Sequence, residues 1–177
     1  MRLQPIDKPK SILLKLAYIA SKIQFGKVIA PLRFIYSRST PIMMSSMKIL
    51  STEKKLSLPK EIKLKIRFFI AHLNECKFCS NLQDYISRKE SKEFVEWKEL
   101  SEYKQSSRFS NKEKALFSYL EEVTFTKKAS DSTFETLRSY FSEKEIVEIT
   151  WICATENYFN LLGKPLGLNS DEMVFSK

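Results

Sequence analysis

Glycine is nearly missing from this chain, with three in 177 residues and only six prolines. So few punctuating residues leave little material for hairpins, while abundant Lys, Glu, Leu and Ile favour helices over a sheet. Cysteine is scarce too, at three. That odd number argues against a disulfide-stapled secreted domain. Long hydrophobic runs are absent. No stretch approaches the roughly 18–20 apolar residues that span a bilayer, and Lys15 and Lys22 interrupt the first apolar segment. The N-terminus shows no compact apolar region followed by a small-residue cleavage site. The expectation is a cytoplasmic protein with reduced thiols and no membrane partner.

Acidic residues are sparse at the start. Residues 1–70 hold 15 Lys/Arg against 3 Asp/Glu, whereas 71–177 hold 15 against 18. A basic half can signal nucleic acid or an anionic membrane. No DNA- or RNA-binding motif accompanies it, and the charges are spread over several segments. A solvated face, or a surface covered by an acidic neighbour in an oligomer, fits better, and no nucleic-acid partner is expected.

What is present is helical pattern on an ordinary apolar content of 43%, enough for a full core in a single domain over 1–177. Ile12, Leu13, Leu16, Ile19, Ala20 and Ile23 share one stripe, with Ser11 as N-cap and Gly26 as stop. The stripe is expected to face the core. A second helical region over 28–50 is punctuated by Pro31 and Pro41. Its Met43, Met44 and Met47 sit at helical spacing, as core filler or the lining of an apolar pocket. Leu58-Pro59 opens a third helix, expected to be largely buried through Ile62, Leu64, Ile66, Phe69, Ile70 and Leu73. Asn74-Glu75 breaks it before a helix over about 76–89. Residues 90–109 are charged and poorly patterned, fitting a short helix and a loop. Ser110 to Glu113, Ser132 to Glu135 and Ser142 to Glu145 each read as a capping box. The last helix is predicted over Ile146 to Leu162, stopping at Gly163. The fold expected is an all-α bundle of seven or eight helices.

Cys76-Lys77-Phe78-Cys79 carries the chemistry. Two thiols three residues apart at a helix start can share a local disulfide, and the free N–H groups there favour a thiolate. Attack by one thiolate on an oxidant gives a sulfenic acid that the other resolves. The spacing is also half of a tetrahedral zinc site. Cys153 and His72 supply no second pair, so no metal is expected. A third reading makes both cysteines buried small apolar residues.

The segment Phe68 to Tyr85, FFIAHLNECKFCSNLQDY, resembles the core of the carboxymuconolactone decarboxylase and alkylhydroperoxidase D-like proteins. Their motif reads Glu, eleven residues, Cys-x-x-Cys, three residues, His, with Asn two before the first Cys. Residues 16–41 (LAYIASKIQFGKVIAPLRFIYSRSTP) and 142–168 (SEKEIVEITWICATENYFNLLGKPLGL) resemble flanking helices of one branch. The resemblance covers about 12–170. It implies an alkylhydroperoxidase D-like helical bundle whose protomers assemble into homo-oligomers. It implies hydroperoxide reduction by the dithiol in peroxidase members, with Glu and His relaying protons. Decarboxylase members act on a lactone and lack the dithiol.

Asn74, Cys76 and Cys79 match that motif. The Glu position falls on Leu64 and the His position on Gln83, which points to a branch lacking both. Leucine carries no proton. Glutamine orients a water or peroxide by hydrogen bonds but does not titrate. The resemblance makes Cys79 the attacking and Cys76 the resolving thiol. His72, four before Cys76, would lie one turn back if the helix continued; the competing reading is a helix-end histidine bonded to a carbonyl or water. Glu75 is expected in solvent. Glu156, Asn157 and Asn160 are polar residues in an apolar helix, facing the dithiol or an oligomer contact, or bridging helices. Trp151, Tyr158 and Phe159 read as core. The expected activity is a thiol-dependent oxidoreductase acting on a small-molecule hydroperoxide or disulfide without a cofactor. The alternative is an oligomeric ligand-binding or scaffold protein.

Overall fold

The computed structural model describes residues 2–90 and 97–168. These residues form α-helices, one π-helical turn and one 3₁₀ turn, with no strand among them. The chain divides into two compact units, one built from residues up to 55 with those from 161 onward, the other from 56–160.

The first unit starts with α1, Ile12–Phe25. Ser11 stands extended at its N-cap, and Gly26, at φ 74°, closes it with its N–H on the Lys22 carbonyl. Both ends match the sequence reading. The buried face does not. Leu14, Tyr18 and Ser21 point inward, while Ile12, Leu16, Ile19 and Ile23 are 55–82% exposed. The reason is polar. The Tyr18 hydroxyl donates to the Ile6 carbonyl at 2.5 Å. Ser21 donates to the Lys27 carbonyl and accepts from the Ile29 amide. These bonds satisfy backbone groups of the neighbouring loops and fix which side turns in. A π turn, Leu32–Tyr36, follows. Then comes α2, Thr40–Glu53, with a proline in its first turn. Met43 is buried against Leu14, Tyr18 and Leu32, but Met44 and Met47 are exposed. The three methionines therefore line no common pocket.

The second unit holds α3 (Lys60–Leu73), α4 (Lys77–Glu90), α5 (Trp97–Ser101), α6 (Asn111–Thr126), α7 (Asp131–Arg138) and most of α8 (Glu143–Gly163). Ile66, Phe69 and Ile70 of α3 are buried, and Ile62 and Leu73 pack partly against the same core. Phe69, Tyr103, Phe109 and Phe117 pack together within it, mostly edge to face, with ring centroids 4.7–5.5 Å apart. Leu100, Tyr103 and Phe109 thus anchor the charged stretch over 90–109, of which 91–96 lie outside the described residues.

The boxes at Ser110–Glu113 and Ser142–Glu145 form as read. The one at Ser132–Glu135 does not. Ser130 caps α7 instead, accepting from the Thr133 amide. Trp151 is half-buried and packs against the second unit's core as expected, whereas Tyr158 and Phe159 are half-buried outside it. No helix among the described residues is long and apolar enough to cross a membrane.

Candidate functional site

The corner between α3 and α4 builds the site. Glu75 takes φ 49°. Its N–H donates to the His72 carbonyl at 2.8 Å, and the Cys76 N–H donates to the Ala71 carbonyl at 2.9 Å. This pair of bonds is a Schellman closure of α3, with Glu75 in the left-handed position glycine usually takes. The Cys76 carbonyl accepts the Ser80 amide at 2.8 Å, so Cys76 is also the N-cap of α4. Cys79 is then its third residue. The same N-cap-to-third-residue relation makes Ser110 and Glu113 reciprocal partners at α6; here it brings two sulfurs together. Cys76 and Cys79 are joined as a disulfide, their Cα atoms 5.3 Å apart. Both are buried, at 2% and 6% exposure.

Gln83 lies one turn beyond Cys79 on α4 and is also buried. Its Oε1 has no hydrogen-bond partner among the described residues. His72 sits in the last turn of α3, half-buried. Because α3 ends at Leu73, no continuous helix places His72 one turn behind Cys76. Burial pushes the imidazole below its ordinary value, against the opposing pull of Glu75, so it is neutral at pH 7. Leu64 is half-buried and Glu75 is exposed.

Behind the corner lies a polar chain whose members the sequence flagged on one side only. Glu156 of α8 is 1% exposed. It pairs with Arg67 of α3 at 2.5 Å and accepts from Asn160 Nδ2 at 2.8 Å. Asn160 Oδ1 and Asn157 Oδ1 both accept from Asn74 Nδ2, at 3.0 and 2.9 Å. Asn157 donates to the Cys153 carbonyl, and more distantly to its sulfur and to Thr124. The Arg67 guanidinium also lies 5.6 Å from the Phe159 ring centroid. Glu156, Asn157 and Asn160 therefore bridge helices. Arg67 was missed, although a lone arginine among Ile66, Phe68, Phe69 and Ile70 demands a buried carboxylate. Cys153 is buried, and burial pushes its thiol up. It belongs to this chain of bonds and not to the disulfide.

A groove of about 600 Å³ opens elsewhere in the second unit, lined by Phe134, Arg138, Ile146, Val147, Trp151 and Ala154 among others. Neither cysteine of the pair lines it. No group of three or more His, Cys, Asp or Glu converges as a metal site among the described residues.

No family model matches the chain, and no curated relative matches it. Solved structures do. An Agrobacterium tumefaciens protein of unknown function, described as an antioxidant defence protein AhpD, is 25% identical with TM-score 0.71, covering 77% of this chain and 96% of that one. A debrominase in its apo form superposes with TM-score 0.79 at 15% identity, over 97% of this chain and 92% of its own. A peroxidase-related protein from Ralstonia eutropha, described as an alkylhydroperoxidase AhpD core, gives TM-score 0.78 at 16% identity, over 92% and 88%. The helical corner that seats two cysteines thus sits in the alkylhydroperoxidase D-like fold that these solved structures share.

Proposed function

We propose that the protein is a thiol-dependent oxidoreductase that cycles the Cys76–Cys79 pair between dithiol and disulfide. One observation carries the reading: the two sulfurs are bonded at the first turn of α4. The free amides of that turn favour a thiolate. In the forward step the Cys79 thiolate attacks the distal oxygen of a hydroperoxide. The O–O bond breaks, the alcohol leaves with a proton, and Cys79 becomes a sulfenic acid. The Cys76 thiol then attacks the Cys79 sulfur, and hydroxide leaves as water with the thiol proton. The dithiol loses two electrons and the peroxide gains two. A thiol reductant restores the pair by exchange, as a reducing cytoplasm would.

Gln83 takes no proton in this scheme. Its unpartnered buried oxygen supports a role in orienting the O–H of the peroxide or a water. A neutral His72 holds no charge for the thiolate. With Leu64 at the relay position, peroxide turnover should be slow. The protomers are proposed to act as a homo-oligomer, which the outward apolar face of α1 supports.

The burial of both cysteines favours a second reading, a scaffold or ligand-binding member of the fold with an inert pair. Thiol titration of the native protein separates the two. Under the redox reading, reduced protein exposes two reactive thiols that vanish on mild peroxide treatment, with mass analysis placing the bond at Cys76–Cys79. Cys79→Ser should abolish peroxide reduction. Full turnover by that variant, or thiols that resist both peroxide and reagent, would leave the scaffold reading.

A further inference from the structure

We infer that Glu156, acting through Asn160 and Asn74, is a positioning residue that sets the redox equilibrium of the Cys76–Cys79 pair. The inference rests on the dithiol reading above. An ionised carboxylate only accepts hydrogen bonds. Glu156 is held ionised by the Arg67 guanidinium on Oε2, so Asn160 must turn its NH₂ toward Oε1. The Asn160 carbonyl is then left pointing the other way, and it accepts from Asn74. The second Asn74 hydrogen goes to Asn157. A buried charge thereby dictates the orientation of the amide that caps α3, two residues before Cys76. The corner is tied to α8 from its side-chain face, just as the Schellman bonds tie its backbone to α3.

The tie matters differently in the two redox states. In the disulfide the covalent bond fixes the sulfur separation whatever the corner does. In the dithiol only the corner and its ties keep the sulfurs within reach of one another. Loosening them gives the dithiol more freedom and lowers the effective concentration of one thiol at the other. The equilibrium at issue is protein dithiol plus glutathione disulfide giving protein disulfide plus two glutathione, with two electrons and two protons moving. A looser corner shifts it toward the dithiol.

The experiment titrates full-length protein in buffers of reduced and oxidised glutathione, reading the thiol count. Glu156→Gln keeps the shape and removes the charge. It should shift the equilibrium about tenfold toward the dithiol, about 30 mV for a two-electron couple. Asn74→Ala removes no charge partner and tests the same chain if Glu156→Gln does not fold; it should shift the same way. The double variant should shift no further than the larger single, because both cut one chain. Glu148→Gln is the control: it alters another buried α8 carboxylate, bonded to Ser57 and Leu58 ahead of α3. It should lower thermal stability and leave the potential alone. Wild-type potentials in Glu156→Gln and Asn74→Ala, or a shift in Glu148→Gln of the same size, would overturn the inference. A wild-type protein that does not titrate reversibly would instead overturn the dithiol reading beneath it.

Discussion

Glu75 is the residue on which the corner turns, and its conformation conflicts with its chemistry. At φ 49° a residue with a Cβ sits where L side chains cost about 1–2 kcal/mol. The side chain is exposed, and its charge acts on His72 in the last turn of α3. Glu75→Gly should therefore stabilise the protein by about 0.5–1 kcal/mol, read as a higher urea midpoint. A lower midpoint would show that the carboxylate does more than turn the chain. At this scale the sequence was informative about atoms and silent about partners. The cysteine spacing was legible because a helix start converts three residues of separation into proximity. Asn74 was legible by its place before the pair. Its link to α8 was not, since nothing local ties residue 74 to residues 157 and 160. The polar triplet on the last helix announced a need for partners without naming Arg67.

Helix ends were read more reliably than helix faces, for a physical reason. A capping box closes over three residues, so Ser110 and Ser142 were recognisable from their own neighbourhoods. Ser132 had the same signature, yet Ser130 took the cap because its amide and hydroxyl also bond Glu122 across the loop. The start of α3 has no local cap, with Pro59 at the N-cap position. Glu148 instead anchors the turn just ahead of it from ninety residues away, accepting from the amides of Ser57 and Leu58 and the Ser57 hydroxyl. Burial alone would push this carboxyl up; the three donors outweigh it and hold it below its ordinary value of 4.5. Glu148→Ala leaves two backbone donors without a partner and should cost about 2 kcal/mol at neutral pH. The sign with pH follows from the depressed folded-state value. The contribution is complete above the unfolded value and fades as pH falls through the folded one. The stability gap between wild type and Glu148→Ala, from urea melts, should therefore close on acidification below about pH 4. A gap that stays constant or widens would show that neutral packing, not the hydrogen bonds of the ionised carboxylate, makes the contribution.

At the scale of the molecule, charge and apolar exposure fall on the same stretch. The first 55 residues carry 11 Lys/Arg against 2 Asp/Glu, which equals the whole net charge of +9. Within them α1 turns four isoleucines and leucines outward, Ile12, Leu16, Ile19 and Ile23, with Lys15 and Lys22 along the margin of that face. Sequence periodicity revealed the stripe but not its direction, because an amphipathic pattern reads the same whether it meets a core or a second copy. Burying such side chains yields about 1.5–3 kcal/mol each, so four from each of two protomers are enough to offset an association cost of about 4–15 kcal/mol. The lysines oppose that contact, since an isologous interface sets like charge against like. Salt screens the repulsion and leaves the apolar gain intact. Self-association of the wild type, followed by sedimentation velocity, should thus strengthen as ionic strength rises. Leu16→Glu, exposed and remote from the dithiol corner in sequence, should yield monomers with unchanged helix content. An assembly that salt dissolves would instead be held by ion pairs, and one indifferent to Leu16→Glu would be built on another face.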